Sequence, residues 1–324
     1  YRVAANHRLF GVFSRGTEAW SVGKATSRAK GGGFMNWWEP LEYAFLRDAM
    51  MIGSLIAVMC AVLSCFLVLR GWSLMGDAVS HSLLPGIVLA YLVGAPLLIG
   101  AFLAGLLCAV GTGWVKNMSR LKEDTAMGVV FTGLFAFGLV LFSKVPSDLH
   151  LDHILFGNLL GIGAAEIREV MWVAIPVLAV LLLKRRDFLL LCFDPSQARV
   201  TALPVGLLHY GLLALLSLAI VVSLKAVGII LVTAMLITPG ATAFLWTSRF
   251  DRMILISACT AVVSTILGVM ISYHADASPA ACIVLFQAAL FAISRVIAAQ
   301  VRMNHELRNK TPNATHQNDQ RAPM

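Results

Sequence analysis

Charged residues are scarce in this chain. Aspartate, glutamate, lysine and arginine make up only 13% of its 324 residues, whereas 59% are hydrophobic. Soluble domains carry about 25% charged residues, so this chain has too little polar surface to cover a water-soluble globule of its size. The composition therefore indicates an integral membrane protein, whose solvent is lipid. Apolar runs recur along the whole length, so a secretory signal peptide alone does not explain them.

The motifs of nucleotide hydrolysis and of common enzyme chemistry are also missing. A P-loop needs GxxxxGK[ST], so that backbone amides and a lysine hold the phosphates. In the nearest match, GTEAWSVGKATS, the glycine spacing is wrong and Lys24 is followed by alanine. GxSxG, HExxH and CxxC are absent, and the six cysteines lie mostly inside apolar runs, where we interpret them as small hydrophobic residues. Uphill transport by this chain would need another subunit or an ion gradient.

Basic residues are concentrated at the start of the chain. Residues 1–34 hold six lysines and arginines against Glu18, which gives +5 of the net charge of +8. The segment has no sustained apolar period, and Met35 follows it. We expect translation to start at Met35 and residues 1–34 to be a disordered, non-native basic arm; the alternative is a native basic tail. Nothing else in the chain predicts nucleic-acid binding.

The apolar runs predict an all-α, polytopic transmembrane bundle. A helix needs about 20 mostly apolar residues to cross the hydrocarbon core. We predict about nine spans, within a range of eight to ten, in a permease domain over residues 35–301. A polar, disordered cytoplasmic tail over 302–324 follows. The candidate spans are 49–69, 74–94, 97–115, 125–143, 169–183, 205–224, 226–246, 253–273 and 280–299.

Lysine and arginine are unevenly shared between the connections. They follow the first, third, fifth, seventh and last predicted spans, and the intervening connections are poorer in them. Because basic connections stay in the cytoplasm, the pattern predicts a cytoplasmic C-terminus and an N-terminus outside. The basic residues on the predicted inner side are Arg70, Lys116, Arg120, Lys122, Lys184, Arg185, Arg186, Arg249, Arg252, Arg302, Arg308 and Lys310.

An acid and an imidazole interrupt the second predicted span. Asp77 and His81 lie four residues apart, so both face one side of a helix. An ionisable residue inside the membrane costs several kcal/mol unless it is paired or lines a polar cavity. Carboxylate and imidazole suit Mn²⁺, Fe²⁺ or Zn²⁺, and two ligands bind weakly enough to release an ion. A structural pair and a proton relay remain alternatives. Pro85 predicts a kink nearby.

The segment LRGWSLMGDAVSHSLLPGIVLAYLVG resembles the metal-ion ABC transporter permeases of the ABC-3 family, which take up manganese, chelated iron or zinc. Its ending SHSLLPG is closer to the manganese and chelated-iron branch than to the zinc branch. The resemblance covers about residues 36–300. Further matching stretches are SRLKEDTAMGVVFTGLFAFGLVLFSK, LDHILFGNLLGI, CFDPSQAR, AVGIILVTAMLITPGATAFL and SYHADASPAACIVLFQA.

The resemblance implies the membrane-spanning permease subunit of an ABC importer in a bacterial cell (inner) membrane. It implies import of Mn²⁺ or Fe²⁺, with Zn²⁺ as a further candidate, without a permanently bound cofactor. Expected partners are a cytoplasmic ATPase, an extracytoplasmic metal-binding protein and a second permease copy or paralogue. Asp77 and His81 are then expected to contact the passing metal. The alternative is a proton-coupled secondary transporter that uses the same pair.

Two other segments are candidate functional sites. In CFDPSQAR, Asp194 followed by a proline predicts a helix N-cap, and the resemblance implies that Asp194, Gln197 and Arg199 couple to the ATPase. An ordinary interfacial helix is the alternative. In MLITPGATAF, Thr238 and Pro239 lie at a predicted break that lines the pathway or is a packing kink.

Remaining polar residues receive simpler interpretations. His274 and Asp276, like the cluster in DLHLDHILFG, lie at predicted outer ends. They could bind an incoming cation, but we favour the interpretation that they are ordinary solvent-exposed loop residues. Lys225 is expected to extend its amine to the outer interface. His209, close to the predicted inner face, is expected to be a packing residue. The members of the DLHLDHILFG cluster are His150, Asp152 and His153.

Overall fold

The computed structural model describes residues 42–72, 74–119, 122–144 and 159–310. These residues form helices, with a short 3₁₀ turn at Leu159–Gly161. The predicted basic arm over 1–34 and the cluster with His150 lie outside the described residues. The helices are α1 (Ala44–Arg70), α2 (Met75–Ser82), α3 (Leu84–Val93), α4 (Leu97–Met118), α5 (Glu123–Lys144), α6 (Ala164–Leu183), α7 (Arg185–Phe193), α8 (Pro195–Val200), α9 (Val205–Val227), α10 (Ile229–Trp246), α11 (Phe250–Ala275) and α12 (Pro279–Lys310).

The prediction of a polytopic helical bundle is confirmed. Within the described residues, eight segments are long and apolar enough to cross a membrane: α1, α2 with α3, α4, α5 and α9 to α12. Helix α6 is 20 residues long but carries Glu166, Arg168 and Glu169 near its start. Counting α6 gives the nine spans that the sequence predicts.

Helix α1 lies at the centre of the bundle. In the most apolar 18-residue stretch of α1, 72% of the residues are buried. The corresponding share is 17% in α5 and in α12. It packs mainly against α10 and α11, and α12 closes the far side of those two helices. Helices α2 to α5 form a second group, which we call the outer group. Helix α9 joins it to the rest through contacts with α4 of the outer group and with α6, which packs on α1. Asp77 and His81 therefore belong to the outer group.

Glycines allow two pairs of helices to approach closely. A Cβ on Gly240 of α10 would lie 2.7 Å from the carbonyl carbon of Ser64 in α1. Gly86 of α3 and Gly100 of α4 meet backbone to backbone in the same way. Because lipid provides no hydrophobic force between helices, small residues stabilise such contacts through tight packing.

The basic ends of several helices gather at one end of the bundle. The Arg70 guanidinium at the end of α1 donates to the carbonyl of Leu191 in α7 over 2.8 Å. Arg185, at the start of α7, lies 3.0 Å from Asp251 in α11. This grouping agrees with the inner side that the basic connections predict. Helix α12 continues to Lys310, past residue 302, where the sequence predicts a disordered tail to begin.

Candidate metal site in the second span

The Asp77–His81 pair lies in the first two turns of the second span. His81 Nε2 is 3.5 Å from Asp77 Oδ1. The Asp77 side chain is 42% exposed and that of His81 is 33% exposed, whereas Ala78, Val79 and Ser80 between them are buried. One face of α2 therefore packs in the bundle, and the face with the ionisable pair opens outward.

Two neighbouring helices border the pair. The ring of Phe135 in α5 meets the His81 imidazole edge to face, with ring centroids 5.4 Å apart. The hydroxyl-bearing side chain of Thr233 in α10 interacts with the Asp77 carboxylate. The pair therefore lies where the outer group of helices meets α10, which itself packs on the central helix α1.

The second span is interrupted at Leu83, just before Pro85, although the backbone of Leu83 stays in the right-handed helical region. Helix α2 ends at Ser82 and α3 begins at Leu84, with Pro85 in its first turn. In an α-helix, the amide of residue 85 would donate to the His81 carbonyl, but proline has no amide hydrogen. That carbonyl therefore lacks its usual helical donor. Carboxylate, imidazole and carbonyl form a set of O and N ligands suited to divalent transition metals.

The pair does not form a closed metal cage. Across the part of the chain that the structure describes, no three His, Cys, Asp or Glu side chains come together as a metal-binding group. A half-exposed ionisable pair inside a membrane is costly unless it lines an aqueous cavity or meets another polar surface. Among the described residues, the site therefore offers a cation two side-chain ligands.

Thr238 and Pro239 lie elsewhere on α10. Helix α10 continues through Pro239, so the span is not broken there. The Ser64 hydroxyl of α1 donates to the Ile237 carbonyl over 3.2 Å and accepts from the Gly240 amide over 3.0 Å. One serine thus supplies hydrogen bonds at the proline, which is buried against α1.

A polar cluster that the sequence did not reveal lies beside Thr238. Gln287 of α12 is only 3% exposed, and neither its amide nitrogen nor its oxygen has a hydrogen-bond partner. It borders a small cavity between α10, α11 and α12, where the lining carries no charge. The signal in the sequence was a glutamine among the apolar residues of the first half of α12. The polar residues that line the cavity are Thr238, Thr242, Thr260, Ser264 and Gln287.

The predicted N-cap at Asp194 is confirmed. Its Oδ1 accepts hydrogen bonds from the amides of Ser196 over 2.8 Å and Gln197 over 3.0 Å. Pro195 opens α8, and the side chains of Gln197 and Arg199 are exposed. In the adjacent α7, burial raises the pKa of the Cys192 thiol to about 11, so this thiol stays protonated at neutral pH.

The polar residues at the predicted outer ends have local partners. His274 Nδ1 lies 2.9 Å from the Met270 carbonyl, and Asp276 ends α11 in the left-handed region with φ 55°. The Lys225 amine contacts both carboxylate oxygens of Glu169 in α6 at 3.1 Å. Extension of Lys225 to the membrane interface was therefore an incomplete explanation, because its contact with Glu169 also links α9 to α6.

His209 meets the ring of Trp72 edge to face, with the centroids 5.3 Å apart. This contact agrees with a packing role. All six cysteines are free, and four of them are buried.

The eight apolar helices that are long enough to cross a membrane define a multi-pass membrane protein. The chain belongs to the ABC 3 transport family, which matches residues 42–298. It is therefore a permease subunit of an ABC transporter, located in the bacterial cell (inner) membrane.

Similar proteins with known assignments cover most of the chain. The chelated iron transport system membrane protein YfeD of Yersinia pestis is 55% identical over 80% of this chain and 87% of the relative. The manganese transport system membrane protein MntB of a Synechocystis strain is 47% identical over 81% of this chain and 86% of the relative. Both relatives match the region that holds the bundle and the Asp77–His81 pair.

Two solved structures share the architecture. PsaBC from Streptococcus pneumoniae, solved in complex with Fab, superposes with a TM-score of 0.71 at 36% identity. The match covers 78% of this chain and 92% of that chain. An inward-facing metal-chelate type ABC transporter superposes with a TM-score of 0.63 at 15% identity, which is a likeness of fold alone.

Proposed function

We propose that this permease moves Mn²⁺ or Fe²⁺ into the cytoplasm, with Asp77 and His81 as transient ligands. The observation that supports this proposal most strongly is the ionisable pair on an open face of the second span, which is interrupted before Pro85. His81 Nε2 and Asp77 Oδ1 lie 3.5 Å apart. An acid and an imidazole in a membrane span mark an ion pathway by default. Relatives named for manganese and for chelated iron support these two metals.

The ligand chemistry suits passage rather than storage. Two side chains and one backbone carbonyl leave most of the coordination sphere of a metal to water or to other groups. Weak binding lets the ion leave, which a transport site requires. Zn²⁺ accepts the same O and N ligands, and cellular availability decides between such metals.

A second permease copy or a close paralogue covers the open face in this proposal. Asp77 and His81 are 42% and 33% exposed on the single chain. Lipid on that face would leave the pair poorly solvated at a cost of several kcal/mol. A partner permease, packed so that the pair lines a shared aqueous path, removes this cost. Rocking of the two subunits then opens the path to each side in turn.

Energy and cargo come from separate subunits. The chain has no nucleotide-binding motif of its own, and its membership of the ABC 3 transport family supports a cytoplasmic ATPase as the source of the driving force. Helix α8, capped by Asp194 and with exposed Gln197 and Arg199, is the proposed docking element for that ATPase. An extracytoplasmic metal-binding protein delivers the ion at the opposite end, near His274 and Asp276.

A strain that carries only this uptake system tests the proposal. Growth under metal limitation should depend on the chain and on its ATPase, and intracellular manganese or iron should fall when either is deleted. Uptake that survives loss of the ATPase but collapses with the proton gradient would instead establish a secondary transporter. Unchanged intracellular metals after loss of the permease would contradict metal transport altogether.

A further inference from the structure

A strongly basic pocket lies at the end of the bundle where the basic connections gather. It has a volume of about 460 Å³ and lies between the start of α7 and the start of α11. Four arginines and one aspartate line it, which leaves three positive charges in excess. The charged lining residues are Arg185, Arg186, Arg249, Asp251 and Arg252.

The pocket is held in shape by contacts on both walls. Arg185 of α7 lies 3.0 Å from Asp251 of α11, so an exposed ion pair links the two walls. Phe66 of α1 packs against Phe188 of α7 and Phe250 of α11, with ring centroids 5.9 and 5.0 Å away. The central helix therefore fixes the spacing of the two helices that carry the arginines.

Arg249 and Arg252 lie at the start of α11 and line the pocket. No side-chain acceptor caps the first turn of α11, where Arg249 is the N-cap residue. Uncapped amides at a helix start add to the positive field of the pocket. Because guanidinium groups bind phosphate through paired donors, a phosphate group is the chemistry that this pocket fits.

The position of the pocket indicates a lipid as the source of the phosphate. It lies just after the end of α6 and at the start of α11, which is one of the membrane-spanning segments. The end of a span on the predicted inner side is where lipid headgroups are expected. Leu189 and Phe250 give it an apolar floor. Nearby side chains at the ends of spans are exposed and apolar, with Leu183 83% and Trp246 54% accessible. Tryptophan is enriched at this level of the membrane, and basic pockets between spans on the cytoplasmic side bind anionic headgroups.

We propose that this pocket binds the phosphate headgroup of an anionic lipid, with Arg249 and Arg252 as its main contacts. Arg185 is engaged by Asp251, so it contributes the bridge that shapes the wall. The bound lipid pins the start of α11 to the start of α7 and stabilises the inner end of the bundle. This inference does not depend on which metal the permease moves.

The test is lipid binding by the full-length chain, purified and stripped of lipid in a neutral detergent. Native mass spectrometry and thermal unfolding are followed during titration with phosphatidylglycerol, phosphatidylcholine or inorganic phosphate. Phosphatidylglycerol should bind and raise the unfolding temperature, and the other two should do neither. The double variant Arg249→Gln/Arg252→Gln should bind phosphatidylglycerol about 30-fold more weakly, since each basic residue near an anionic headgroup contributes about a factor of five.

A matched variant controls for net charge. Arg168→Gln/Arg295→Gln removes the same charge from two exposed arginines that do not line the pocket. It should bind phosphatidylglycerol as the unaltered chain does. Equal binding by the pocket variant and the control, or an equal response to inorganic phosphate, would overturn a lipid site. Loss of the ATPase from the pocket variant, with lipid binding unchanged, would show that this surface docks protein instead.

Discussion

Two polar clusters lie inside this apolar bundle, and they differ in charge and in access. Asp77 and His81 are ionisable and half-exposed on the outer group of helices. Gln287 and the hydroxyls around it are neutral and enclosed between α10, α11 and α12. A charge can be kept in a membrane only where water, a partner or an ion reaches it. Under the proposed function, the first cluster serves transport, and the enclosed position of the second predicts a role in packing.

Hydrogen bonding supports the same distinction. In the enclosed cluster, the hydroxyls of Thr242 and Ser264 donate to the carbonyls of Thr238 and Thr260 on their own helices. Ser64 likewise hydrogen-bonds to the backbone on both sides of Pro239, at Ile237 and Gly240. The Asp77 carboxylate and the His81 imidazole, in contrast, lie on an open face where a cation can reach them. Variants in the two clusters should therefore change different measurements.

The largest effect is expected from variants of the open pair. Asp77→Asn and His81→Gln should each lower metal uptake about 100-fold, because each replaces one of the two side-chain ligands with a weaker, neutral amide oxygen. Thermal unfolding of the purified chain should change little, since both side chains are half-exposed. The matched control is Ser80→Ala on the same helix, whose buried hydroxyl bonds only to the Gly76 carbonyl. Uptake within twofold of the unaltered chain in either variant contradicts the proposed site.

A stability defect should follow from substitution at the α1–α10 contact. In Gly240→Ala, the new Cβ would lie 2.7 and 2.8 Å from the backbone carbon and oxygen of Ser64. The helices must separate, which should lower the free energy of unfolding by about 1–3 kcal/mol. Gly133→Ala is the control, because no atom lies within 4 Å of its Cβ position. Similar unfolding temperatures for the two variants would refute the close contact.

The enclosed cluster should tolerate loss of its glutamine. Gln287→Met removes two buried polar atoms that have no partner, so the free energy of unfolding should rise by about 1 kcal/mol while uptake stays unchanged. Ser257→Ala is the contrasting variant, since its hydroxyl donates to the Ala61 carbonyl over 3.0 Å and its loss should destabilise the chain. If Gln287→Met folds but abolishes uptake, the cavity beside Thr238 and Pro239 belongs to the pathway.

A smaller effect is expected at the proposed docking helix. Asp194→Ala removes two N-cap hydrogen bonds and should destabilise α8 by about 1 kcal/mol. In the reconstituted complex, transport per ATP hydrolysed should fall. Asp194→Ser keeps a capping oxygen and should restore coupling, whereas a merely electrostatic role of Asp194 would leave the serine variant as defective as the alanine variant.

The smallest effect is expected at the Lys225–Glu169 pair. The two side chains are 44% and 36% exposed, so solvent screens much of their attraction. A double-mutant cycle with Lys225→Met and Glu169→Gln should give a coupling of less than about 1 kcal/mol, reduced by salt. A coupling that is large and insensitive to salt would mean that the membrane excludes water from this pair.

The sequence predicted the fold because the relevant signals are local. Apolar run length locates the spans, Pro85 locates the interruption of the second span, and Asp194 before a proline locates the cap of α8. The i, i+4 spacing also placed Asp77 and His81 on one face. Each of these follows from a few neighbouring residues and general helix geometry.

Long-range contacts could not be predicted in this way. Lys225 meets Glu169 from 56 residues away, and Ser64 meets α10 across 176 residues, so neither partner is visible in a local pattern. The break predicted at Pro239 was wrong for the same lack of long-range information. The helix continues there, and the serine that bonds to its backbone, Ser64, lies on α1. The Thr233 neighbour of Asp77 and the cavity around Gln287 likewise arise only from packing.

Metal uptake by proteoliposomes tests the central claim most directly. The permease is reconstituted with its ATPase and metal-binding protein, and accumulation of radioactive manganese or iron is measured with and without ATP. Uptake should require ATP, should be indifferent to an imposed proton gradient, and should disappear in the folded Asp77→Ala/His81→Ala variant. ATP-driven uptake that persists in that variant would contradict the assignment of the pair as the site of metal passage.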